Sequence, residues 1–183
     1  MKGKLADMRG KRKYIFILII CIGIASALIY RYKEINKGIP NSYEKQAYQI
    51  NEDVDLDDLE IKVESYDIVK GSDEATNDKI FLRAQIKNES SNVIDASSLM
   101  FNSKLSDGFE YLDSFNIEEK DRERLKALKS KETLQFSVYY SSAPGRMNFD
   151  DGLKFYISNE LYKNQITQKY NEGKFYAKYI ELK

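Results

Sequence analysis

The chain has 183 residues, with 29 Lys/Arg against 29 Asp/Glu, no histidine, no tryptophan and a single cysteine, Cys21. The lack of histidine removes the commonest general acid–base and the commonest metal ligand, and one cysteine can form neither an intrachain disulfide nor a thiolate zinc site. The formal net charge of zero hides a split: 8 of the bases and 1 of the acids fall in residues 1–33, leaving 21 bases and 28 acids, a net −7, in residues 34–183; such a remainder does not suit nucleic acid, which needs a basic face.

Residues 1–13 carry Lys2, Lys4, Arg9, Lys11, Arg12 and Lys13 against Asp7 alone. From Tyr14 to Tyr30 no residue is charged. These 17 residues would make a helix of about 26 Å, at the short end of what spans a hydrocarbon core. Arg12, Lys13, Tyr14, Tyr30 and Arg31 are the expected flanks of this anchor, because basic and aromatic side chains settle at the interface. The basic excess before the span puts the N-terminus in the cytoplasm and the rest of the chain outside. Ala25-Ser26-Ala27 could serve as a signal-peptidase site. However, the apolar run continues through Leu28-Ile29-Tyr30, which favours an uncleaved signal anchor. Cys21 follows Ile20 within the span, unlike a lipid-attachment cysteine.

Residues 31–47 are polar and include Gly38, Pro40, Asn41 and Ser42, which reads as a linker. An outer domain is then expected over 48–183. In LEIKVES (59–65), Leu59, Ile61 and Val63 share one face. In KIFLRAQIKN (79–88), Ile80, Leu82, Ala84 and Ile86 do the same. This period of two marks strands with one buried face. SSLMFNSKL (97–105) and FEYL (109–112) read as a hairpin about Asp107-Gly108. NIEEKDRERLKALKS (116–130) breaks the pattern. Asn116 is its candidate N-cap, with Glu119 three positions on, and acids precede bases as the helix dipole prefers. Strands resume in TLQFSVYYS (133–141), LKFYIS (153–158) and KFYAKYIEL (174–182). The expectation is an all-β, immunoglobulin-like antiparallel β-sandwich of about seven strands with one short inserted helix, preceded by one transmembrane helix. An α+β cone-shaped domain is the alternative, but such a domain leads with helices and this one with strands.

The order YQINEDVDLDDLEIKVESYDIV (48–69), IFLRAQIKNESSNVIDASSLMFNS (80–103), DGFEY (107–111) and KSKETLQFSVYY (129–140) resembles a family of telokin-like, immunoglobulin-fold domains of unknown function. These occur on lipoproteins and membrane-anchored surface proteins of Gram-positive bacteria. The likeness covers roughly residues 48–182 and rests on strand periodicity and turns; the charged stretch 116–128 departs from it. It implies an extracytoplasmic β-sandwich, and the family supplies no catalytic residue to carry over.

Asp53, Asp55, Asp57 and Asp58 alternate oxygen ligands as a calcium loop does, yet the glycine of the sharp turn is missing and Val54 and Leu56 intervene as on a solvated strand edge. Asp150-Asp151-Gly152 is a second acidic turn. No catalytic residue and no cofactor-binding residue is assigned. Tyr139, Tyr140, Tyr156, Tyr162, Tyr170, Tyr176 and Tyr179 crowd the C-terminal third, where they either fill half-buried strand positions or stack on a glycan or peptide. Asn88-Glu89-Ser90 matches a glycosylation sequon but reads as a turn. The function expected is a non-catalytic, single-pass membrane protein of the bacterial surface whose outer domain binds a protein or peptide partner. A structural accessory subunit of a membrane complex such as an exporter is the alternative, since Gly23, Ala25, Ser26 and Ala27 allow close helix packing. A secreted enzyme comes last.

Overall fold

The structure is a computed structural model that describes residues 2–72, 76–112 and 116–183, the side chains of residues 2–13 excepted. It divides into two compact units, Met1–Ile39 and Pro40–Lys183.

The first unit is one helix, α1 (Lys2–Ile35). Within it Tyr14–Ile35 is long and apolar enough to cross a membrane: 22 residues of mean hydropathy 2.2, none of them buried. Tyr14, Tyr30 and Arg31 are exposed on it. Arg12 and Lys13 lie on the same helix, their side chains outside the described residues.

The second unit is a β-sandwich of two five-stranded sheets. One sheet has the order β2 (Val54–Leu56), β3 (Leu59–Val69), β4 (Asp78–Asn88), β8 (Thr133–Ser142) and β7 (Asn116–Ile117). We call it the long-strand sheet. The other has the order β1 (Ser42–Gln49), β10 (Lys174–Leu182), β9 (Leu153–Tyr156), β5 (Lys104–Ser106) and β6 (Tyr111–Leu112). We call it the broken sheet.

The alternating residues meet in the core as expected. Ile61, Val63, Ile80, Leu82, Ile86, Leu134 and Val138 of the long-strand sheet are at most 3% exposed. Leu105, Phe155, Ile180 and Leu182 face them from the broken sheet. A bulge between Val63 and Ser65 shifts the register of β3. It turns Tyr66 and Ile68 inward, opposite Leu82 and Ile80. The alternation read through 59–65 stops there because the bulge inserts one residue.

Several expectations are corrected. The described residues form ten strands, not about seven. The sandwich is not wholly antiparallel, because β1 runs parallel to β10 over eight residue pairs. Residues 42–47, read as linker, belong to β1. Six of the eight β1 residues are exposed, so no apolar alternation announced the strand. Residues 98–102 form a short helix, α2 (Ser98–Asn102), rather than strand. Leu99 and Met100 are neighbours and both buried, which a helical turn permits and a pleat does not.

The inserted helix is present as α3 (Glu119–Lys126), with Leu125 buried. Asn116 does not cap it; Asn116 and Ile117 instead pair with Tyr139 and Val138, and Glu118 holds the cap position without a side-chain bond. A further helix, α4 (Lys163–Asn171), follows a 3-10 turn at Asn159–Tyr162. The Asp107-Gly108 turn holds as read. Gly108 has φ +102°, and Asp107 Oδ1 accepts from the N–H groups of Phe109 and Glu110.

Asn88 ends β4 fully buried. Its amide donates to the carbonyls of Asn92 and Leu128 at 2.7 and 2.9 Å. Its Oδ1 accepts from the N–H and the hydroxyl of Ser90. All four hydrogen bonds available to an asparagine side chain are thus made, and the sequon is a turn hub closed to a glycan.

Candidate functional site: a tyrosine and lysine groove

Residues paired across strands share a face, so the register places the outer side chains of the broken sheet in rows. Tyr43 sits opposite Phe175, Lys45 opposite Ala177 and Tyr179 opposite Tyr156, with Tyr156 in turn opposite Lys104. β9 leaves the sheet after Tyr156, while β10 continues past it in the direction of Lys174. The missing strand and the small side chain of Ala177 leave a depression of about 900 Å³. Tyr43 and Lys45 line it on the β1 side, and Lys104, Tyr111 and Tyr156 line the other. Asn102, Asn159 and Glu160 close one end. The volume lies in the range of small-molecule sites.

The rings are ordered by their neighbours. Tyr156 contacts Tyr111 and Tyr179 with centroids 5.8 and 5.3 Å away. Lys45 Nζ lies 5.5 Å from the Tyr43 ring centre and 5.7 Å from that of Tyr156. Lys104 Nζ lies 6.0 Å from that of Tyr111. These are cation–π distances. Burial pushes the Tyr156 hydroxyl above its ordinary value, with Lys45 opposing the shift. Chemically the groove offers flat aromatic faces, ammonium groups held over them, and amides at one end. The Asn159 Oδ1 already accepts from the Tyr162 hydroxyl at 2.7 Å, which leaves its amide N–H groups as the free end.

Behind the groove, on the core face of β10, lies Lys178, only 2% exposed. Its Nζ donates to the Asp55 carbonyl. It also lies 5.8, 5.4 and 6.0 Å from the ring centres of Tyr48, Tyr162 and Tyr176. Burial lowers the Lys178 pKa, and the charges of Asp55 and Asp57 oppose that shift. Burial also pushes the hydroxyls of Tyr48 and Tyr162 up to about 12. This cage joins β10 to β2 and so ties the two sheets together.

The four candidate calcium ligands are not gathered around one point. Asp53 pairs with Lys62 at 2.5 Å. Asp55 accepts from Gln165 at 2.9 Å, and Asp57 accepts from the Asn164 N–H at 2.8 Å. Asp58 is exposed in the β2–β3 turn. Among the described residues no three acidic, histidine or cysteine side chains form a metal-binding group. Asp151 accepts from Asn148. The tyrosines divide: Tyr140, Tyr162 and Tyr176 are buried, Tyr139, Tyr156 and Tyr179 are half-buried on outer faces, and Tyr170 is exposed. Only Tyr156 of the seven lines the groove. Tyr43, Lys45, Lys104, Tyr111 and Ala177 were not singled out in the sequence. Tyr43-Glu-Lys45-Gln-Ala47 does carry a period of two, in rings and charges rather than aliphatics.

No family model and no curated protein matches the chain. Solved structures do. An uncharacterised β-sandwich protein from Clostridium difficile 630 superposes with a TM-score of 0.53 at 12% identity, covering 78% of this chain and 97% of its own. The YjhA protein from Bacillus subtilis gives a TM-score of 0.49 at 12% identity, over 74% of this chain and 99% of its own. At such identity the first likeness defines a class by fold alone: the outer unit is a β-sandwich.

Proposed function

We propose that the chain is a single-pass membrane protein whose β-sandwich lies outside the cytoplasm and binds a partner through the tyrosine and lysine groove, without catalysis. The groove carries the reading, because it gathers exposed aromatic faces and cations on one side of an otherwise acidic domain. The apolar helix and the six bases before it support the anchor and the orientation. The parallel pairing of β1 with β10 supports the finer fold assignment, a telokin-like, immunoglobulin-type sandwich. Gly23, Ala25, Ser26 and Ala27, all exposed on α1, favour a second reading in which the helix packs within a membrane complex.

Photo-crosslinking in cells expressing the full chain separates these readings. A benzophenone side chain at position 45 should capture a discrete species, and the Ala177→Trp variant, which fills the groove, should lose it. The same probe at Arg83, on the outer face of the long-strand sheet, should capture nothing comparable. Equal capture from both faces sinks the groove; capture only from probes within α1 supports the packing role instead. Protease added to cells stripped of their wall should digest the sandwich; protection would overturn the orientation.

A further inference from the structure

We propose that the groove takes an extended peptide segment, which adds to the open edge of β10 as a further strand of the broken sheet. The inference rests on the groove being the binding site and names its partner class.

The open edge is the first ground. β10 pairs with β1 over residues 174–181 but with β9 over 179–182 only. One bond follows beyond that ladder, from the Ile157 N–H to the Lys178 carbonyl at 3.1 Å, and the Lys178 N–H donates to the Tyr162 hydroxyl at 3.1 Å. Among the described residues no strand neighbours 174–177 on that side. Backbone groups of successive strand residues point to opposite edges. Those of Lys178 point toward β9, so those of Tyr176 and Lys174 do too, while those of Phe175 and Ala177 point toward β1. Two N–H and two C=O groups thus line the groove side of β10 in the spacing that strand addition uses.

The width is the second ground. β9 lies between β10 and β5, with Tyr156 paired to Tyr179 on one side and to Lys104 on the other. Neighbouring strands lie about 4.8 Å apart, so β10 and β5 stand about 10 Å from each other, and room for one strand is left where β9 turns away. The turn is built in. The Ser158 N–H donates to Ser103 Oγ at 3.1 Å, and Ser158 Oγ accepts from the Glu160 N–H at 3.3 Å, which starts the 3-10 turn. A slot one strand wide, walled opposite β10 by Asn102, Lys104 and Tyr111, admits a single extended segment and not the sheet edge of a second folded copy.

The walls are the third ground. Side chains of an added strand alternate between the two faces. Those on the outer face would stand beside Ala177 and Phe175, among the rings of Tyr43, Tyr111 and Tyr156. Phe175 contacts Tyr43 and Tyr170 with centroids 6.1 and 6.3 Å away, and Tyr43 and Phe175 are 61% and 41% exposed. The segment that fits therefore carries apolar or aromatic residues at every second position. Both signs of charge line the slot, Lys45 and Lys104 with Glu160, so selection falls on backbone and rings rather than on net charge.

The test uses the full chain in nanodiscs of neutral phosphatidylcholine. Amide hydrogen exchange of the free chain, read by NMR, should alternate along β10, with Tyr176 about tenfold faster than Phe175 and Ala177; equal protection of the three would close the edge and overturn the proposal. A random linear dodecapeptide library displayed on phage is then panned against the same nanodiscs. By fluorescence polarisation, the synthetic peptides recovered should bind the Ala177→Trp variant about tenfold more weakly or worse, with an unchanged circular dichroism spectrum showing that the variant is folded. The bound peptide should slow exchange at Tyr176. N-methylation of every second peptide residue should weaken binding far more in one phase than in the other, because only one edge of the added strand meets β10. Recovery of no peptide that depends on Ala177, N-methyl effects without that period, or Tyr176 exchange unmoved at saturating peptide would each overturn the added strand. Protection of the Tyr43 and Lys45 amides instead would move the peptide to β1, the outermost strand of the sheet, and overturn the slot. Tyr176 protection that rises with protein concentration and needs no peptide would make the occupant a second copy. If the peptide failed while capture at position 45 still depended on Ala177, only the partner class would fall; loss of that dependence as well would remove the groove itself.

Discussion

The two sheets share one core and differ in what they do with their outer faces. In the long-strand sheet, β3, β4 and β8 run 10 or 11 residues each, so the outer face is continuous. Lys62 pairs there with Asp53 and Lys87 with Glu89, and Glu64 accepts from the Gln135 amide. In the broken sheet, β9, β5 and β6 have four, three and two residues, and where β9 stops the groove opens. The long-strand sheet keeps a smaller depression of about 370 Å³ beside Glu64, Arg83 and Lys120; the groove of about 900 Å³ opens where the other sheet is incomplete. The regular core sheet and the face proposed for recognition are therefore different sheets, and this separation can be attacked directly.

The largest effect should come from the long-strand sheet. Ile86 is completely buried between β3 and β8, and Ile86→Ala should cost about 3–4 kcal/mol in denaturant unfolding while leaving groove binding intact under folding conditions. Asn88→Ala should cost about 2–3 kcal/mol, because two carbonyls and a turn lose their partner at once. A smaller loss would mean that the hub is replaceable by water.

Alkaline titration probes the cage that ties the sheets. A neutral tyrosine whose folded pKa is raised from 10 to about 12 contributes stability that is complete below pH 10 and lost as pH rises through 12. Tyr48 and Tyr162 should each give up on the order of 2–3 kcal/mol across that window. Tyr48→Phe should flatten the decline, read as the unfolding midpoint against pH. Lys178 works with the opposite sign. Its folded pKa lies below 10.5, so the unfolded chain binds more protons, and stability rises with pH up to that value. Lys178→Met should erase this rise, and an unchanged pH profile would place the ammonium in a wetter site than the cage implies.

The smallest effects should be on the outer faces. Lys62→Met removes an ion pair that solvent screens and should leave the midpoint where it is. Ala177→Trp should also change stability little, because it points away from the core, yet abolish groove binding. A large loss of stability there would erase the division of labour between the sheets.

The same division explains what could be read from sequence. A strand with one buried face writes a period of two in aliphatics, and Leu59 to Val63, Ile80 to Ile86 and Leu134 to Tyr140 all announced themselves. The broken sheet writes weaker signals. β1 has Tyr48 as its only buried residue and otherwise resembles a polar tether. β5 and β6 are shorter than any window in which periodicity can be counted. The Asp107-Gly108 turn was legible because it depends on local backbone chemistry. The groove was not, because Lys45, Lys104 and Tyr156 come from three strands, and only the register brings them together. The acidic run 53–58 was the opposite case, a local pattern whose members turn to different partners.

One consequence of the topology is mechanical. β1 and β10 lie side by side and point the same way over eight pairs. Suppose the polypeptide is gripped ahead of Ser42 while something tugs on its last residues. The force then runs along both strands in opposite senses, and their ladder must shear as a block rather than unzip rung by rung. A domain tethered in this way resists traction far better than its thermal melting would suggest.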